Sequence, residues 1–223
     1  MAYLQSRYQL GIKAAVGMLL LFCASVASAE MLSPPEAAIH DVSESLKTLL
    51  QQNQERIKTD KAYVYRLANK VVAPHVDFNR LSGLALGKHW RRATPEQKKE
   101  FMSEFQRLLV RTYATAFREF GEWSLKFDSR HDASDAKSVV VRSQVLRPGA
   151  PPVSVKYRMH QKDGVWLAYD VVIEGISLVT NYRTTFAKEV RRNGMDGLIK
   201  RVAKLNNQRI AASQSSQVIA ASN

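Results

Sequence analysis

Residues able to do chemistry are thinly scattered along this 223-residue chain. The histidines are His40, His75, His89, His131 and His160. No two stand at i, i+4 or at the spacing of metal ligands, so no metal site is expected and each reads as a surface histidine. Gly83-Leu84-Ala85-Leu86-Gly87-Lys88 approaches a phosphate loop, in which glycine N–H groups and a lysine cradle phosphates. It is one residue short, and His89 stands where Ser or Thr is required, so it reads as a turn between helices. Asp128, Asp132 and Asp135 lack the calcium-loop pattern, and there is no G-x-S-x-G elbow. One arrangement remains. Asp170 with Tyr169 or Tyr182 would make an acid–base pair if held in a pocket, against which stands a reading of Asp170 as a paired structural charge. No catalytic residue and no cofactor are expected.

The elements that would position such groups begin after an N-terminal address. Arg7 and Lys13 precede an apolar run from Ala14 to Ala24, and Ala27-Ser28-Ala29 is a small-residue cleavage signal. The run is short for a membrane span, and Phe22 before Cys23 does not fit a lipoprotein signal. Cleavage after Ala29 leaves 194 of the 223 residues, enough for one domain with a core. The cysteine leaves with the leader. So do two cations, which lowers the net charge from +13 to +11. A secreted chain of that charge favours anionic lipids or acidic proteins over nucleic acid.

Ser33-Pro34-Pro35-Glu36 starts a helix that reaches about Thr59, with Ile39, Val42, Leu46, Leu49 and Leu50 as its stripe. A second helix runs from Asp60 to Pro74, and Asp77 caps a short third one carrying Phe78, Leu81, Leu84 and Ala85. Thr94, Pro95 and Gln97 open the strongest helix with a capping box. Phe101, Phe105, Leu108, Leu109, Tyr113, Phe117 and Phe120 mark its face, and Gly121 stops it. The period then changes. Trp123–Phe127, Lys137–Leu146, Val153–His160 and Val165–Ile173 read as strands, with a loop at 147–152 and a turn at Lys162-Asp163-Gly164. Val153, Val155, Tyr157 and Met159 should point inward. Ser154, Lys156, Arg158 and His160 should point outward. A helix with Leu178, Val179, Tyr182, Phe186 and Val190 follows, and Gly194 separates it from a last one with Leu198, Ile199, Val202 and Leu205. Residues 206–223 read as a disordered polar tail. The fold expected is α+β: a curved antiparallel sheet of about four strands covered by N- and C-terminal helices, with an apolar pocket between them, in one lipid-binding domain over 30–205.

Within Val165–Ile173, alternation puts Trp166, Ala168, Asp170 and Val172 on one face and Leu167, Tyr169, Val171 and Ile173 on the other. Neither is a normal wet face. With the wide stripe of the Thr94 helix, this apolar surplus suggests a core left partly open, as a lipid carrier needs. Two acyl chains of roughly thirty CH₂ groups require on the order of 20 kcal/mol of shelter, which only an enclosed apolar pocket supplies. The wall residues expected are Phe105, Leu109, Tyr113, Tyr157, Trp166, Val171 and Ile173.

Trp90-Arg91-Arg92-Ala93-Thr94-Pro95-Glu96-Gln97, then Phe101, Phe105 and Leu108-Leu109-Val110-Arg111-Thr112-Tyr113, form one dense block. Val155-Lys156-Tyr157-Arg158, Trp166 to Gly175, Ile176-Ser177-Leu178-Val179, Asn181-Tyr182-Arg183 and Phe186 form another. Together they resemble the MlaC, or toluene-tolerance Ttg2, family over about Ser33 to Leu205. The resemblance implies a periplasmic phospholipid carrier that maintains outer-membrane lipid asymmetry. Its implied partners are phospholipid, an inner-membrane Mla ABC transporter complex and an outer-membrane lipoprotein complex, with no nucleic acid, and the chain is expected to be a monomer. Arg91, Arg92 and Arg183 are the residues expected at a headgroup or partner contact. The alternatives are a small-molecule enzyme on an α+β cone using Asp170 as acid/base, and a non-lipid interaction module acting through its basic surface.

Overall fold

Local chemistry sets the helix starts. The computed structural model describes residues 31–60, 62–119, 122–128 and 137–221, and the side chains of 31–60, 62–114, 122–128 and 137–208. The leader expected up to Ala29, the Phe117 side chain, Phe120, Gly121, His131, Asp132 and Asp135 lie outside the described residues. The chain divides into Met1–Leu32 and Ser33–Asn223, and the second unit holds every element below. Helix α1, Pro34–Gln52, begins where the Ser33 N–H and hydroxyl both donate to the Glu36 carboxylate, at 2.8 and 2.6 Å. A short α2, Gln54–Thr59, continues it, and α3 is Tyr63–Val72 with a 3₁₀ turn at Ala73–His75. Asp77 accepts from the Arg80 N–H and caps α4, Phe78–Leu86. Leu84, expected inward, is exposed, because Leu81 and Ala85 already fill the buried face of this helix. Helix α5, Lys88–Arg92, leads to α6, Pro95–Glu119, where Thr94 and Gln97 exchange both capping-box hydrogen bonds.

The sheet is an antiparallel meander in chain order: β1 Ser124–Phe127, β2 Ser138–Arg147, β3 Ala150–Lys162, β4 Val165–Ile173 and β5 Ile176–Ser177. The four expected strands are present, with a two-residue fifth. The loop expected over 147–152 is only the tight turn at Pro148-Gly149, since Arg147 already pairs with Ala150. Asp163 and Gly164, both at positive φ, make the β3–β4 turn. Helix α7, Leu178–Ala221, is bent at Gly194, whose φ of 71° and ψ of −178° no helix accommodates. The tail expected from Asn206 is therefore helical in backbone as far as Ala221. Asn206 itself is 0 % exposed and donates to the Glu104 carbonyl and carboxylate at 3.0 and 2.6 Å, while its own carbonyl accepts from Arg111. Leu205, expected inward, is 39 % exposed, because Asn206 takes the position facing α6.

Register corrects one expectation about β4. Arg158 pairs with Asp170 but Met159 pairs with Ala168, so Tyr169 is an extra residue, a β-bulge. A bulge shifts the alternation by one beyond it. Trp166 and Ala168 therefore share a face with Val171 and Ile173, and with Val155, Tyr157 and Met159 of β3. Leu167, Asp170 and Val172 share the opposite face with Lys156, Arg158 and His160. The bulge gathers Trp166, Val171 and Ile173 onto one face and leaves Leu167, Asp170 and Val172 on the other, where Asp170 is buried.

Apolar side chains collect in three clusters. One is helical: α4, α6 and α7 contribute Leu81, Phe101, Phe105, Leu109, Phe186 and Val202 among others. A second joins α1, α2 and α3 to Trp123. The third lies on the sheet around Val141, Met159 and Ala168, with Ala38 and Ile39 of α1 packed over it.

Candidate functional site

The predicted wall residues fall into two groups. Phe105, Leu109 and Tyr113 stand on α6 in the helical cluster. Phe105 is 0 % exposed. Its ring centroid lies 5.1 Å from those of Tyr182 and Phe186 in edge-to-face contacts and 5.4 Å from that of Phe101. These neighbours leave it no surface to present. Tyr157, Trp166, Val171 and Ile173 share the covered sheet face through the bulge, and all four are only half-buried despite their size. Burial pushes the Tyr157 phenol above its ordinary pKa, with a nearby Ser143 hydroxyl pulling the other way. The first group belongs to the filled helical cluster, whereas Tyr157 and Trp166 pack against the part-open sheet cluster and Val171 and Ile173 lie on the same face outside it.

Two open grooves lie elsewhere. One, of about 510 Å³, is lined by Lys126, Phe127, Asp128, Arg142, Ser143, Gln144, Ser154 and Lys156. The other, of about 420 Å³, is lined by α3 and α6 residues including Tyr65, Arg66, Arg107 and Arg111. Both are rich in cations, and neither is lined by any of the seven predicted wall residues.

Arg91 and Arg92 are exposed on α5. The Arg183 guanidinium of α7 lies over Gly87 at the α4–α5 junction, with Nη2 2.9 Å from where a Cβ would stand. Gly87 also has a φ of 56° with a ψ of −122°, so glycine is required there twice over. The position at the end of α4 is one where the helix dipole favours a cation. The sequence reading missed the neighbours that complete this patch. His89, expected at the surface, is half-buried with Nε2 unpartnered among the described residues, and its pKa is held down by burial and by Lys88, Arg92 and Arg191. Among the described residues no carboxylate forms an ion pair with Lys88, Arg91, Arg92, Arg183 or Arg191. The only signal for the patch in the sequence was the run Lys88 to Arg92.

The acid–base pair considered for Asp170 does not form. Asp170 is 1 % exposed. One oxygen accepts from the Ser177 hydroxyl at 2.7 Å, the other from the Val179 N–H at 3.1 Å, and Arg158 stands 3.9 Å away. It ties the start of α7 to the sheet. The Tyr169 hydroxyl meets Ser138 at 3.3 Å while its ring stacks on Arg80, and Tyr182 lies in the helical cluster. His160, also expected at the surface, is mostly covered and pairs with Asp77 at 2.9 Å, joining β3 to the α4 cap. Among the described residues no three His, Cys, Asp or Glu side chains gather as metal ligands, and no helix is long and apolar enough to cross a membrane.

This arrangement of a bulged meander and a helical bundle matches known proteins. The MlaC protein family aligns with residues 40–204. The chain belongs to the MlaC family. A relative from Haemophilus influenzae, the intermembrane phospholipid transport system binding protein MlaC, is 24 % identical over 81 % of this chain and 86 % of its own length. Toluene tolerance protein ttg2D of Pseudomonas putida is 28 % identical over 81 % of this chain and 84 % of its own. Among solved structures, a phospholipid-binding protein from Ralstonia solanacearum, in complex with a phospholipid, superposes with a TM-score of 0.74 at 28 % identity. The match covers 80 % of this chain and 99 % of that one. The expected family and the α+β fold are therefore both found.

Proposed function

We propose that this protein is a phospholipid carrier of the periplasm. The observation that carries the reading is the covered sheet face, where Tyr157, Trp166, Val171 and Ile173 lie together and remain half-buried. Large apolar groups gain about 25 cal/mol for each Å² removed from water. A face that leaves four of them part-exposed is suited to acyl chains. Relatives named for phospholipid transport and phospholipid binding support the same ligand.

The mechanism needs no bond chemistry. Bilayer and protein interior are both apolar, so moving the chains between them is close to neutral overall. The carrier lowers the barrier of drawing them through water, and direction would come from an energised partner. In this reading the protein moves lipid between an outer-membrane lipoprotein complex and an inner-membrane ABC transporter, as a monomer addressed by its leader, and so sustains outer-membrane asymmetry. Arg91, Arg92 and Arg183 meet the headgroup or a partner, in a patch whose cations form no ion pair with a carboxylate among the described residues. Organic extraction of the purified protein followed by mass spectrometry tests the ligand. The expected result is co-purified phospholipid. A lipid-free protein that also fails to take up labelled phospholipid would overturn the proposal.

A further inference from the structure

The covered face of the sheet carries two hydroxyls among its apolar side chains. Register sets Ser143 opposite Phe127 on β1 and Val155 on β3, and Tyr157 opposite Val141 on β2 and Val171 on β4. They are diagonal neighbours across the β2–β3 ladder, within reach of each other. Ser143 is 4 % exposed and its Oγ has no hydrogen-bond partner among the described residues. Tyr157 is half-buried, and its phenol feels the Ser143 hydroxyl although no bond of acceptable geometry joins them. Burying a hydroxyl without a partner is unfavourable. Valine at 143, as at 141 and 145, would avoid that cost. The serine stands where alternation asks for an apolar residue, on the diagonal to Tyr157, which packs against the sheet cluster.

A ligand acceptor reached by the Tyr157 hydroxyl would orient the phenol so that Ser143 gains a partner as well. The reading of this protein as a phospholipid carrier, on which this step rests, supplies one: the ester carbonyls where acyl chains join glycerol are the strong acceptors nearest the apolar chains. We propose that Tyr157 donates its hydroxyl to an ester carbonyl of the bound phospholipid. Ser143 is a positioning residue, donating to the phenol oxygen so that the Tyr157 proton points at the lipid. The pair fixes how deep the chains descend, and it selects lipids by linkage as well as by chain.

The test compares two lipids with the same headgroup and chain length, dipalmitoyl phosphatidylglycerol and its dihexadecyl ether analogue, which lacks the carbonyls. Each is titrated into the delipidated full chain. One neutral hydrogen bond predicts about a three- to tenfold preference for the ester lipid. Tyr157→Phe should lower ester binding to the ether level and leave ether binding unchanged. Ser143→Ala should erode the preference and Ser143→Thr should keep it, a pattern that a merely structural serine would not give. Equal binding of the two lipids by the unmodified protein, or a full preference surviving in both Tyr157→Phe and Ser143→Ala, overturns the subsite while leaving the carrier intact. Binding of neither lipid overturns the carrier reading and the subsite with it. Should Tyr157→Phe fail to fold, the serine variants decide the matter alone.

Discussion

The helical cluster and the sheet face bury aromatic residues to different ends. Around Phe105 the rings of Phe101, Tyr182 and Phe186 meet at centroid distances of 5.1 to 5.4 Å, and Phe101 and Phe105 have no exposed surface. On the sheet face Val141, Ser143, Val155, Met159 and Ala168 reach full burial, while Phe127, Tyr157 and Trp166 remain half-buried. The two regions do not differ in how they hold polar groups: among the described residues Ser82 Oγ, His89 Nε2 and Asn206 Oδ1 of the helical half lack hydrogen-bond partners, as does Ser143 Oγ on the sheet. What differs is filling. A region that is filled sets stability, and a region that is part-open can take a ligand.

The largest effect should come from breaking the filled region. Phe105→Ala removes a ring from a close-packed site that other side chains cannot refill, at a cost of about 3–5 kcal/mol, or roughly 10 °C in Tm for a chain of this size. Calorimetry checks it. A loss below about 1 kcal/mol would mean that the helical cluster is as yielding as the sheet face, and the contrast would fail.

Val171→Asp attacks the other side. Val171 is half-buried, so the cost to the fold should stay within about 1–3 kcal/mol, but a carboxylate on the covered face opposes acyl chains. Phospholipid co-purifying with the protein should fall about tenfold or more while circular dichroism is unchanged. Unchanged lipid content would remove Val171 from the wall and separate the two regions less sharply than proposed.

Helix starts were legible because their chemistry is local: Ser33 with Glu36, Asp77 ahead of Arg80, and Thr94 with Gln97 each need only three residues. The strands were legible from alternation as far as Tyr169. Period-two counting assumes an unbroken pleat, so a bulge within Val165–Ile173 could not be seen, and the strand seemed to have two apolar faces. Asn206 escaped for a related reason. Its burial depends on which side of α7 meets α6, one step from Leu205 and invisible locally. The candidate site was half legible. Residue type found the large apolar groups but could not separate Phe105, enclosed by other rings, from Trp166, which is not. Ser143 carried a usable signal, a serine between Val141 and Val145 at an inward position.

The smallest effect belongs to the rim of the helical half. Lys88, Arg92 and Arg191 surround His89, and Arg183 lies over the adjacent Gly87. Burial and these cations hold its pKa below the ordinary value, so the folded state keeps the imidazole neutral where an unfolded chain would accept a proton. Below the unfolded pKa of about 6.5 the unfolded state binds more protons, so this contribution to stability is complete above that pH and is lost as pH falls through it. His89→Gln cannot titrate, and its Tm should fall less than that of the unmodified protein between about pH 7.5 and 5.5. Identical profiles would show that His89 is not held neutral. The preference for ester over ether lipid should stay constant across the same range, since Tyr157 and Ser143 lie on the sheet and do not titrate there. A preference that moved with pH would couple the filled half to the open one and dissolve the distinction between them.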